Sequence, residues 1–179
     1  VGGVVARRAR GFDMEIHYHN RAPLPVGQEA NACYHATLED LLPHCDFLSL
    51  HCPATPQTRH LLNRARIALL PDGAIVVNAA RGSVVDEQAL VDALREGKLA
   101  AAGLDVYENE PAINPEIRAL PNTFLLPHIG SATGKTRDAM GFRALDNLDA
   151  FFAGETPGDQ LYTNDWINKW RKYHSSGLA

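Results

Sequence analysis

Short runs of strand character alternate along this chain with amphipathic runs of helical spacing, and that alternation is the signature of βαβ units assembled on a parallel sheet. Val4, Val5, Ala9 and Phe12 keep helical spacing behind Gly2-Gly3, with Gly11 placed to end the helix. Met14 to His19 reads as a strand, Glu29 to Tyr34 as a weaker extended run, and Thr37 as the cap of a short helix ending near Pro43. Asp46 to His51 then reads as a buried strand, Gln57 to Leu70 as short helical pieces, and Pro71-Asp72-Gly73 as a turn. Ala74 to Asn78 is the clearest strand, and Asp86 caps a helix whose apolar face is Leu90, Val91 and Leu94 and which Gly97 stops. Ala101 to Val106 and Phe124 to Leu126 are further strands. Met140, Leu145, Leu148 and Phe152 form a helical stripe that ends at Gly154. Residues 1–161 thus read as one domain and 162–179 as a C-terminal tail, in which Trp166, Ile167 and Trp170 could line a short amphipathic helix.

Composition narrows the function. A length of 179 residues, 45% hydrophobic and 21% charged, suits a folded globular chain. The net charge of −4 leaves no basic surface beyond Arg7-Arg8-Ala9-Arg10, which reads as a solvated helix face, so no nucleic-acid partner is expected. No apolar run approaches the ~20 residues of a membrane span, and no membrane partner is expected either. The chain opens at Val1-Gly2-Gly3 without a charged leader and apolar core, so a signal peptide is not expected. The 3 cysteines, Cys33, Cys45 and Cys52, contain no C-x-x-C pair, which suits a reducing cytoplasm better than a disulfide framework or a structural zinc site. His17 and His19 would share one strand face, but the sequence offers them no nearby third ligand, and no metal site is expected.

Polar residues gather where the strands run out: Cys52-Pro53 after one, Arg81-Gly82 after another, Asp105 and Glu110 after a third, His128 after a fourth. In a parallel α/β sheet, ligands bind beyond the carboxyl ends of the strands, so these residues should converge. A histidine beside a carboxylate has its imidazolium favoured and its tautomer fixed, which suits it to exchange a proton near neutral pH. An arginine stays charged and offers a planar fork of donors to a carboxylate. His128, Glu110 and Arg81 could therefore hold a carboxylate-bearing substrate and exchange a proton with its hydroxyl or carbonyl oxygen. With a nicotinamide opposite, the reaction would be hydride transfer.

Three stretches carry a resemblance: Val77-Asn78-Ala79-Ala80-Arg81-Gly82-Ser83-Val84-Val85-Asp86, Gly103-Leu104-Asp105-Val106-Tyr107-Glu108-Asn109-Glu110-Pro111 and Leu126-Pro127-His128-Ile129-Gly130-Ser131-Ala132-Thr133. In motif and separation the chain resembles the D-isomer-specific 2-hydroxyacid dehydrogenase family from about Val1 to Leu161. The resemblance implies a Rossmann-like doubly wound parallel sheet, here lacking its first strand and the N-terminal substrate domain. It implies that Arg81 anchors the substrate carboxylate, that His128 is the general acid and base, that Glu110 orients His128, and that Asp105 lies near the nicotinamide carboxamide. It makes Gly2 the last glycine of a dinucleotide fingerprint, packing its helix closely against the sheet while the helix N-terminus faces the pyrophosphate. Cys52, Pro53, Ala79, Arg81, His128 and Gly130 would line the rest of the cofactor cleft.

The end of the Met14 to His19 strand bears on cofactor choice. An NAD-specific site places Asp or Glu there for the ribose hydroxyls, whereas this chain has His19-Asn20-Arg21. Asn20 does not repel a 2′-phosphate and Arg21 can pair with one, so NADP(H) is expected in preference to NAD(H). Tyr18-His19-Asn20-Arg21 is most similar to the glyoxylate/hydroxypyruvate reductases of the family, which implies a small 2-keto acid reduced to its D-2-hydroxy acid and a homodimeric parent protein. The alternative is a non-catalytic nucleotide-sensing module of the same fold. Retention of Arg81, Glu110 and His128 together favours the enzyme.

Overall fold

The computed structural model describes residues 1–25 and 27–161. The expected helix in the C-terminal tail lies outside the described residues. The chain forms two compact units, Val1–Gly130 and Ser131–Ala179.

The first unit alternates as the sequence predicts: α1 (Gly2–Ala9), β1 (His17–His19), β2 (Cys33–His35), α2 (Leu38–Leu41), β3 (Phe47–Leu50), α3 (Arg64–Ile67), β4 (Ala74–Asn78), α4 (Glu87–Arg95), β5 (Leu99–Leu104), α5 (Pro115–Ala119) and β6 (Thr123–Leu125). The strands make two hydrogen-bonded groups, β1-β2 and β3-β4-β5-β6, and every pairing is parallel. This is the Rossmann-like α/β arrangement implied by the motifs.

Local chemistry sets the element ends. The side chains of Thr37, Asn63, Asp86 and Asn114 accept from first-turn N–H groups of α2, α3, α4 and α5, satisfying donors that the helix itself leaves free. Gly73 and Gly97 adopt φ of 82° and 76°, left-handed conformations that other residues resist. The core lies on the four-stranded group, where Val76, Leu90, Val91, Leu99 and Ile117 are sealed from solvent.

Several boundaries differ from the sequence reading. The first helix passes Gly11 in a 3-10 turn and stops at Asp13, whose φ is 57°. Met14 to Ile16 lies outside the strand, because parallel pairing begins only at His17 opposite Cys33. Glu29 to Asn31 is a turn, with Ala30 and Asn31 both at positive φ. β3, an outer strand of its group, is buried only at Leu48 and Leu50, and Phe47 is 55% exposed. β5 begins two residues earlier than expected, at Leu99, and ends before Val106.

In the second unit, Thr133 caps α6 (Gly134–Phe152) by accepting from Thr136 N. The chain leaves through Gly154 and folds back so that Asp159 accepts both Arg143 Nε and Nη2, at 2.6 and 2.9 Å. Met140, Leu145, Leu148 and Phe152 are exposed. No helix among the described residues is long and apolar enough to cross a membrane.

Candidate active site

The carboxyl ends of β3, β4, β5 and β6 lie along one edge of the parallel group, and the polar residues singled out in the sequence follow those ends. Arg81 stands three residues beyond β4, held by its strand-end neighbour. Asn78, 1% exposed, donates from Nδ2 to Arg81 O at 3.0 Å and accepts Ala80 N at Oδ1. The Ala79-Ala80-Arg81 turn is thereby fixed while the Arg81 side chain reaches solvent.

Gly82 ties this turn to the segment after β5. A Cβ at Gly82 would fall 1.9 Å from the carbonyl carbon of Tyr107, so backbone meets backbone there and only glycine fits. The Tyr107 to Glu110 segment is held further by Glu87, which accepts Glu108 N at 2.6 Å, and by Arg59 and His60, which pair with the Glu108 carboxylate. Gly82 was placed beside Arg81 by the sequence, whereas nothing local in the sequence marks Glu87 and Glu108 as residues that build the site. Sequence reasoning also misses Asn78, whose signal is a lone polar residue closing an apolar strand.

Glu110 Oε2 lies 2.7 Å from His128 Nδ1, and Glu110 Oε1 accepts Tyr107 N at 2.9 Å. Partial burial raises the carboxyl pKa, but the His128 and Tyr107 hydrogen bonds and the charges of His128 and Arg81 outweigh it and hold it below the ordinary 4.5. Glu110 therefore stays a carboxylate, and its bond to Nδ1 leaves Nε2 as the working nitrogen of the ring. The two side chains are 33% and 47% exposed, open enough to meet a small molecule.

His128 sits at φ 54°, a left-handed conformation that costs a non-glycine residue about 1–3 kcal/mol. Asp105 offsets that cost. Its two oxygens accept Ile129 N at 2.8 Å and Gly130 N at 2.7 Å, gripping the β6 loop just beyond the histidine. Gly130 must stay small, since a Cβ there would come within 2.9 Å of Asp105 Oδ2. Tyr107 Oη adds a bond to Leu126 O. Three of the predicted residues, Arg81, Glu110 and His128, are thus electrostatically coupled, and Asp105 and Gly130 anchor their loop.

The residues expected to meet a dinucleotide are placed at the same strand ends. Cys52 packs on the core after β3, and Pro53 O accepts from Thr58 Oγ1. A Cβ on Gly2 would press on the His51 ring at 3.3 Å. At the end of β1, Asn20 Oδ1 accepts Arg21 N, and Arg21 makes no ion pair among the described residues.

Comparison with known proteins agrees with this geometry. Residues 1–130 match the model of the D-isomer specific 2-hydroxyacid dehydrogenase, NAD binding domain. A glycerate dehydrogenase from Hyphomicrobium methylovorum is 48% identical over 156 residues, covering 86% of this chain and 48% of the relative. A glyoxylate reductase from Thermococcus kodakarensis is 48% identical over 157 residues, covering 88% of this chain and 47% of its own length. The crystal structure of an NADPH-dependent glyoxylate/hydroxypyruvate reductase from Sinorhizobium meliloti, in complex with NADP and malonate, superposes with a TM-score of 0.79 at 41% identity, covering 83% of this chain and 46% of that one. The chain spans about half the length of the relatives it matches. Motifs, strand-end geometry and similarity converge, and the chain belongs to the D-isomer specific 2-hydroxyacid dehydrogenase family, with its NAD binding domain in residues 1–130.

Proposed function

We propose that this chain supplies the cofactor-binding and proton-transfer half of an oxidoreductase that reduces a small 2-keto acid, glyoxylate or hydroxypyruvate, to its D-2-hydroxy acid. The observation that carries the reading is the 2.7 Å Glu110–His128 pair with the Arg81 charge acting on the same carboxylate. A bound reduced nicotinamide supplies the hydride to the carbonyl carbon. The close approach at Gly2 and the open strand ends at Ala79 and Pro53 fit such a dinucleotide.

The protein's own part is binding and proton transfer. Arg81 pairs with the substrate carboxylate and polarises the carbonyl beside it. The His128 imidazolium gives its Nε2 proton to the carbonyl oxygen as negative charge develops there, and the ring ends neutral. Glu110 holds Nδ1–H throughout and so orients the ring.

NADP(H) is the preferred cofactor in this reading. Asn20 and the unpaired Arg21 support it, as does the Sinorhizobium relative described as NADPH-dependent. A homodimeric, cytoplasmic parent protein completes the proposal.

The test is a spectrophotometric assay of the chain joined to the remaining half that its relatives possess, with glyoxylate, hydroxypyruvate and pyruvate and with NADPH and NADH in parallel. Turnover with the first two substrates is expected. Absence of turnover despite tight cofactor binding would replace the enzyme reading with that of a nucleotide-sensing module. Arg21→Ala should weaken NADPH more than NADH, and equal losses would overturn the cofactor preference.

A further inference from the structure

The parallel register of β1 and β2 sets His17 opposite Cys33 and His19 opposite His35. Residues two apart on a strand share a face, so all four lie on the same side of this ribbon. The turn that follows α2 adds His44 to that side. The rings of His17, His35 and His44 form a mutual cluster, with centroids 5.2, 5.1 and 5.0 Å apart, and the His17 and His44 rings are nearly parallel at 4°.

Hydrogen bonding alone accounts poorly for this gathering. His17 Nδ1 and His35 Nε2 lie 2.9 Å apart, so two nitrogens of the same chemical type share a single proton. One ligand atom each from His17, Cys33 and His35 lies within 4.8 Å of the others. Tetrahedral coordination at about 2.0–2.3 Å puts such atoms roughly 3.3–3.8 Å apart, a change within reach of side-chain rotation. The carboxylate of Glu15, 3.9 Å from His17 Nε2, adds favourable charge.

We propose that His17, Cys33 and His35 form a three-ligand site for zinc or a similar borderline divalent cation, with water as the fourth ligand. Imidazole nitrogen and thiolate sulfur together select such a metal over calcium or magnesium, which take oxygen ligands. Binding displaces the Cys33 thiol proton to solvent and leaves the metal oxidation state unchanged. The ion would tie β1 to β2 across the first pairs of their register, three residues before Asn20. The inference rests on side-chain placement and is independent of the catalytic reading.

The test uses the full chain without a polyhistidine tag, kept reduced and stripped of metal by a chelator. Cobalt is expected to bind at one equivalent with visible tetrahedral bands and a thiolate charge-transfer band, and zinc to displace it and raise the melting temperature. Cys33→Ser should remove the charge-transfer band and His35→Gln should weaken zinc about tenfold or more, while Cys45→Ala keeps the band. Cys33 is exposed, so its serine variant retains the fold, as circular dichroism would verify. Failure of the wild-type chain to bind cobalt or zinc stoichiometrically, or a charge-transfer band that survives Cys33→Ser, overturns the proposal.

Discussion

His128 draws its placement from three directions: the Glu110 carboxylate on Nδ1, the Asp105 clamp on the next two N–H groups, and its own left-handed backbone. Replacing His128 with Ala should cut reduction by about 10²–10⁴-fold, the usual worth of a general acid, and leave the cofactor dissociation constant nearly unchanged. Steady-state kinetics beside a binding titration separates the two effects. Glu110→Gln keeps the shape but removes the charge, and should lower kcat about tenfold or more while changing KM little. Its pH behaviour has a definite sign. The folded-state pKa of Glu110 lies below 4.5, so the pair's contribution is complete above that value and is lost as pH falls through the depressed one. The His128 ring signals in an NMR titration should therefore keep their paired character at pH 4.5. Loss of that character well above 4.5 would contradict the assignment.

Asp86 and Thr37 show why some elements were legible in advance: a capping side chain acts on N–H groups two or three residues away, so its effect is written locally. Ala74 to Asn78 was readable for a related reason, since its apolar run is bounded by a Gly73 turn and a polar strand end. The site followed because loops at the ends of parallel strands must meet. What could not be read depends on register. The shortening of β1 to three residues, and the meeting of His17 with Cys33 and His35, arise from a pairing between strands separated by a long turn. The backbone contact at Gly82 is equally non-local. Gly82→Ala must push the Tyr107 backbone aside and should cost about 1–3 kcal/mol or more in urea unfolding, with the Arg81–Glu110 coupling loosened. Leu90→Ala, at 0% exposure, should cost about 2–5 kcal/mol without touching the site. The contrast between the two variants in cofactor affinity distinguishes a loop effect from a core effect.

The chain as a whole is a sheet of strand ends carrying chemistry, followed by a second unit whose stability has its own acid limit. There the Arg143 guanidinium, then Asn147, hold Asp159 at about 2, well under the ordinary 3.8. The turn after α6 is thus fully supported above about pH 4 and loosens as pH falls toward 2, which hydrogen exchange at residues 155–160 would register.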